Sequence, residues 1–220
     1  MKPPSSSPTW PEPEAQALDW GPHLELVLAS GSPQRREILS GLGISFEVDP
    51  AGIGEIAEGE PAAVALENAR LKAREVVGRR DAGSEVVLAA DTVVAAGETI
   101  IGKPSDAGQA ALAIELLAGR EHDVWGGVVV AGPGDQWREG LCRSGVRFRP
   151  LGPGEISDYV ALGEWEGRAG GYAIQLRGGE LVEAVEGDRE NVIGLSTTLL
   201  AQLVQGLVPS GGTAPDRYNH

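Results

Sequence analysis

The stretch Leu24 to Leu42, LELVLASGSPQRREILSGL, places the tightest constraint on how this chain can fold. It predicts a buried strand over Leu24–Ala29, a small-residue turn at Ser30-Gly31-Ser32, and a helix opening at Pro33. Ser32 suits the N-cap. Pro33 suits the first helical position, where its missing N–H would have had no helical partner. Arg35 and Arg36 do not fit a plain capping story, because the helix N-terminus already carries partial positive charge. A Ser/Gly turn, free helix N–H groups and two guanidiniums together describe an anion site, with a phosphate chain as its natural occupant. An ordinary helix start with two solvated arginines fits the same residues. This stretch alone leaves both readings open.

The pattern beyond it alternates. A short strand is expected over Ile44–Val48, then a Gly- and acid-rich segment from Asp49 to Glu60, then a helix from Pro61 to about Val77. Val86–Ala96 reads as the most apolar strand, with Ile100-Ile101 a short strand after it. Ser105-Asp106 caps a helix over Gln109–Leu117, which stops at Gly119. Val124–Ala131 and Gln136–Phe148 form a hairpin around Pro133-Gly134-Asp135. A short helix follows over Glu155–Leu162. Tyr172–Gln175, Leu181–Val185 and Asn191–Ile193 read as strands or near-strands, and Ser196 caps a last helix over Thr197–Val204. Helices and strands alternate early and strands dominate later, which gives an α/β class with a mixed sheet.

The 220 residues suit one large domain or two small lobes sharing a core. Residues 1–23, rich in Pro, Ser and Glu, are expected to be a disordered extension; 24–207 form the folded domain and 208–220 a flexible tail. The net charge of −14 argues against a nucleic-acid or anionic-membrane surface. It leaves room for a small phosphorylated substrate in a local basic pocket, and it would attract metal cations. Cys142 is the only cysteine, so there is no disulfide framework; a structural, partly buried thiol is the plain reading. No apolar run approaches membrane-spanning length, and the first residues lack the apolar core of a signal peptide. A cytoplasmic location is the expectation.

Asp91 is the sharpest single signal. It interrupts a run of Val, Leu and Ala, where a carboxylate is expensive to bury unless paired or bound to metal. A strand-end Asp capping a turn is the alternative, but apolar residues on both sides argue against an exposed turn. A carboxylate at a strand bend facing a cleft suits a general base or a metal ligand. Gly97–Lys103, GETIIGK, has the spacing of a phosphate-binding P-loop, yet Pro104 stands where Ser or Thr should bind magnesium and where the helix should start. It is not a P-loop, and Lys103 remains a candidate phosphate ligand. Lys72 falls at the border of its helix's apolar face, where a snorkelling lysine is the commonest explanation. Glu55, alone in an acid-rich segment, reads as solvated. His122 has no partner at ligand spacing. These residues suit metal-assisted phosphate chemistry without naming a substrate.

Several blocks together go further. LASGSPQRREIL, ENARLKA, AADTVV, GKPSD, LLAGREHDV, ISDYVALGEWEGRAGGYAIQ and NVIGL, in this order, resemble the Maf (septum-formation inhibitor) family of nucleoside triphosphate pyrophosphatases. The resemblance covers about His23 to Leu207. It implies a mixed twisted sheet flanked by helices in two lobes with an active-site cleft, like that of the inosine triphosphate pyrophosphatases. It also implies hydrolysis of a nucleoside triphosphate between the α and β phosphates, with a divalent cation (magnesium, manganese or cobalt), by a homodimer. Carried onto this chain, Asp91 matches the catalytic base. Arg35, Lys72 and Lys103 match the residues that hold the phosphates, and Ser30 and Ser32 lie in the matching loop. Glu55 and Asp91 match metal ligands.

Substrate choice in the family tracks positions that are Gln34, Thr92 and Gln175 here. Thr92 and Gln175 are similar to the branch acting on dTTP and UTP, which usually has arginine in place of Gln34. The branch acting on 7-methyl-GTP has an aromatic residue there and lacks the Thr and Gln. Gly126, Arg168 and Ser196 stand where threonine, lysine and proline are common. A nucleotide-binding regulator of cell division, with incidental hydrolysis, is the alternative from another class.

Overall fold

A computed structural model describes residues 25–80, 85–205 and 207. The extension and tail expected at 1–23 and 208–220, the first strand residue Leu24 and most of the turn before Val86 lie outside the described residues. Seven strands form one mixed sheet: β1 (Glu25–Leu28), β2 (Phe46–Val48), β3 (Glu85–Ala96), β4 (Thr99–Ile101), β5 (Glu121–Gly132), β6 (Gln136–Phe148) and β7 (Val182–Glu186). Their order is β2-β1-β3-β5-β6-β7, with β4 paired to β3. β1 runs parallel to β2 and β3; the remaining pairs are antiparallel. The helices are α1 (Pro33–Gly41), α2 (Pro61–Val77), α3 (Ala107–Leu117), α4 (Pro153–Val160), α5 (Arg189–Ile193) and α6 (Thr197–Val204). The α/β class with a mixed sheet is therefore what the chain adopts.

Most element starts follow from local chemistry. Pro33, Pro61 and Pro153 each open a helix, where a missing N–H does no harm. Asp106 caps α3 by accepting from Gln109 N–H at 2.9 Å, and Gly119 leaves that helix at φ +67°. The β5–β6 hairpin turns through Gly134 and Asp135, both at positive φ. Ser196 caps α6 by accepting from Leu199 N–H at 3.0 Å.

Three expectations are corrected. Tyr172–Gln175 is irregular chain, and Asn191–Ile193 lies in α5, which Asp188 caps through Glu190 and Asn191 N–H. The short apolar runs carried no period that separates strand from helix. Ser32 holds the N-cap position of α1, but its side chain makes no capping bond.

β3 explains how one sheet serves two lobes. Its first half packs with β1, α1 and α6 on one face (Val86, Leu88, Ala90) and with α2 on the other (Val87, Ala89). Val94, further along, belongs to a separate core with α3, α4, Phe148 and Tyr172. Asp91 and Thr92 fall at the crossing. Side chains alternate along a strand, so Asp91 shares the α2 face with Val87 and Ala89, and Thr92 takes the opposite face.

Candidate active site

Helix α2 reaches β5 closely because of Gly127. This residue pairs with Asp91 across β3 and β5, and a Cβ built on it would lie 2.3 Å from the Ala65 carbonyl oxygen. Without that side chain, α2 settles against the sheet and turns Asn68 and Lys72, four residues apart on one helical face, onto Asp91. Gly126 does the same on the other face. A Cβ there would lie 1.9 Å from Asn191 Oδ1, so any side chain at this position would collide with Asn191.

Asp91 is 5% exposed in the middle of β3, on a straight run of ladder pairs rather than at a bend. Its Oδ1 accepts from Lys72 Nζ at 2.6 Å, and its Oδ2 accepts from Asn68 Nδ2 at 3.0 Å. Lys72 also donates to Glu55 Oε1 at 2.6 Å, and Lys103 to Glu55 Oε2 at 2.9 Å. Lys72 is thus no snorkelling border residue: it is 8% exposed, with both carboxylates on its ammonium. Glu55 is likewise not simply solvated. Burial works against its charge, but the hydrogen bonds and charges of Lys72 and Lys103 outweigh that and hold its carboxyl at about 2.

Arg35 turns back under the Ser/Gly loop. Its Nε donates to the Gly194 carbonyl at 3.0 Å, Nη1 to Ser30 Oγ at 2.8 Å and Nη2 to Thr92 Oγ1 at 3.2 Å. Burial pulls its pKa below the usual guanidinium value, with the charges of Asp91 and Glu55 opposing. One side chain therefore ties α1, the Ser30 loop, β3 and the end of α5 together while facing the cleft. Arg36, beside it, is exposed.

The cleft is lined by Ser32, Gln34, Arg35, Glu55, Asp91, Thr92, Lys103 and Gln175 among the residues expected from sequence. Ser30 and Lys72 are not on the lining; they act beneath it, through Arg35 and the two carboxylates. Sequence reasoning did not single out Asn68 and Tyr172. Arg168 registered there only as a departure from the common lysine. Its guanidinium orients the Gln34 amide: the Gln34 oxygen accepts from Nη1 at 2.9 Å and Nη2 at 3.3 Å, while its nitrogen donates to Ser32 Oγ at 3.0 Å. The reverse orientation would set donors against donors. Tyr172 forms part of the wall, packed edge-on against Phe148 and His122, and its hydroxyl lies 2.9 Å from His122 Nε2. Spacing between Tyr172 and His122, fifty residues apart, carried no signal of that partnership.

Among the described residues, no group of three or more His, Cys, Asp and Glu is placed to hold a metal ion. Glu55 and Asp91, two carboxylates at a cleft lined with basic side chains, match a different arrangement. A hard cation such as magnesium commonly takes one or two protein carboxylates and completes its shell from phosphate and water. The donor chemistry fits that case.

A chain with a net charge of −14 gathers lysine and arginine around one cleft at the junction of its two lobes. That defines an α/β protein whose cleft sets Arg35, Lys103 and Arg168 beside the carboxylates of Glu55 and Asp91. It belongs to the Maf family: the model described as "Maf-like protein" matches residues 25–207. The dTTP/UTP pyrophosphatase of Deinococcus radiodurans is 42% identical over 182 residues, covering 82% of this chain and 92% of that protein. The dTTP/UTP pyrophosphatase of Myxococcus xanthus is 48% identical over 172 residues, covering 77% and 86%. Among solved structures, a nucleoside-triphosphatase, described as a dITP/XTP pyrophosphatase, from Mycobacterium abscessus matches 56% of this chain and 72% of its own, with 19% identity and a TM-score of 0.39.

Proposed function

We propose that this protein is a nucleoside triphosphate pyrophosphatase that hydrolyses dTTP and UTP to the monophosphate and pyrophosphate. The observation that carries this reading is Asp91: a buried carboxylate at the cleft, joined to Lys72, in a chain 42% identical to a named dTTP/UTP pyrophosphatase. Water attacks the α phosphorus, and Asp91 accepts its proton. The bond from phosphorus to the bridging oxygen breaks, and that oxygen leaves with pyrophosphate. Lys103 and Arg35 face the cleft as the cations that neutralise charge gathering on the phosphates, and Lys72 holds the carboxylates from below. Glu55 and Asp91 are the residues that would hold a divalent cation, which would supply further charge neutralisation when bound. On the base side, Thr92 and Gln175 together with the Gln34–Arg168 pair supply the polar groups that select the nucleotide.

Pyrophosphate release should be measured across canonical and modified nucleoside triphosphates with magnesium, manganese and cobalt. Preferential turnover of dTTP and UTP is expected. Tight binding of UTP with no pyrophosphate released under any metal would instead describe a nucleotide-binding regulator. Preference for 7-methyl-GTP would reassign the substrate.

A further inference from the structure

Asn68 is 2% exposed and sits one turn before Lys72 on α2. Its amide touches two separate parts of the cleft floor at once. Oδ1 accepts from Ile56 N–H at 2.7 Å, while Nδ2 donates to the Ile56 carbonyl at 3.0 Å and to Asp91 Oδ2 at 3.0 Å. Asn68 therefore pairs with both main-chain groups of Ile56 as an adjacent strand would, although Ile56 lies in no strand or helix. The amide has one workable orientation. Turned over, its oxygen would face a carbonyl and a carboxylate, and its nitrogen would face an N–H.

The segment that carries Glu55 needs such an anchor. Gly52 to Gly59 has no regular secondary structure, and none of its residues is buried. Apolar packing therefore does little to fix where Glu55 stands relative to Asp91. Polar contacts do it instead. Lys72 and Lys103 grip the Glu55 carboxylate at the tip of its side chain, and Asn68 grips the main chain of the very next residue.

We propose that Asn68 is a positioning residue for the hydrolysis: it sets the segment carrying Glu55 in register with Asp91 and holds the Asp91 carboxylate plane. The proposal rests on the reading of Asp91 as the base. A side chain that bridges both carboxylate-bearing segments converts a loosely held pair into a fixed one, and misplacement by about 1 Å is enough to slow a reaction by roughly a hundredfold.

The test compares Asn68→Ala, Asn68→Asp and Asn68→Gln with the wild-type enzyme. It measures kcat and KM for UTP, Tm, and amide hydrogen exchange at residues 52–59. In Asn68→Ala, kcat should fall by roughly 30-fold or more while KM changes by less than about threefold, the mark of an interaction realised in the transition state. Exchange should accelerate at 52–59 and stay slow in α2 and β3. Asn68→Asp keeps an acceptor for Ile56 N–H but sets a carboxylate against Asp91. It should lose as much turnover as Asn68→Ala while protecting residues 52–59 better. Asn68→Gln keeps the amide displaced by one methylene; if Asn68→Ala does not fold, a folded and slow Gln variant supports the proposal and a folded, fast one overturns it. Asn68→Ala with kcat within about threefold of wild type overturns it too, as does a loss accompanied by faster exchange throughout α2 and β3. Asp91→Asn separates the two readings. If that variant turns over normally, the assignment of the base fails; if it is inactive while Asn68→Ala is active, the positioning role alone fails.

Discussion

Lys72 and Asp91 meet at 2.6 Å with side chains 9% and 7% exposed, so the carboxylate that interrupts the most apolar strand is neutralised from α2 beneath the cleft. Removing either partner has a different consequence, because Glu55 also binds Lys72. Asp91→Asn leaves Lys72 with an anionic partner and keeps the side-chain shape. We expect loss of turnover, a Tm near that of wild type and nucleotide affinity largely retained. Pyrophosphate release and calorimetric binding of UTP check this, and near-normal turnover would remove Asp91 from the base role.

Lys72→Met leaves the buried Asp91 carboxylate without its cation, while Glu55 keeps Lys103. Breaking a buried pair from one side costs about 3–5 kcal/mol, so this variant should be markedly less stable than Asp91→Asn. Urea unfolding of the two variants side by side measures the difference. Equal stability would mean that the pair is not a buried electrostatic unit.

Gly127→Ala places a methyl group 2.3 Å from the Ala65 carbonyl oxygen. The helix must move away, at a cost of about 1–3 kcal/mol, and Asn68 and Lys72 move with it. A fall in Tm should come with a fall in kcat larger than the change in KM. Unchanged kinetics in a destabilised variant would show that the close approach serves packing alone.

Arg168→Ala releases the Gln34 amide from its two-point contact. Discrimination between UTP and GTP, measured as the ratio of kcat/KM values, should weaken by roughly fivefold or more. Gln34→Arg in the wild-type background sets two guanidiniums face to face. It should favour dTTP and UTP only when Arg168 is also replaced. A substrate profile indifferent to both changes would place this pair outside base selection.

His122 is 2% exposed, and burial holds its pKa at about 4, against an opposing pull from Asp123. The ordinary histidine value is near 6.5, so between those two pH values the unfolded chain binds more protons than the folded one. The contribution is complete above about pH 6.5 and is lost as pH falls toward 4, amounting to roughly 3 kcal/mol. His122→Gln keeps a polar atom for the Tyr172 hydroxyl but cannot titrate. Its Tm should decline less steeply than that of wild type between pH 6.5 and 4 in matched buffers.

Local rules made much of this protein legible in one dimension. The strand–turn–helix at Glu25–Gly41, the proline-led helices, the hairpin at Pro133-Gly134-Asp135 and the isolated Asp91 each depend on residues within a turn or two of one another. The succession of blocks was enough to indicate the family. The roles of Lys72, Glu55, Asn68 and Arg168 needed the tertiary structure. Each is decided by partners far along the chain: Asp91 lies 19 residues from Lys72 and 23 from Asn68. Whether they meet depends on how closely α2 settles on β5, which an absent side chain at Gly127 controls. The opening stretch shows the same division. Its sequence placed Arg35 at a helix start beside a Ser/Gly turn. Only the folded chain turned that guanidinium back onto Ser30, Thr92 and Gly194, because a buried charge must find every polar partner that packing brings within reach.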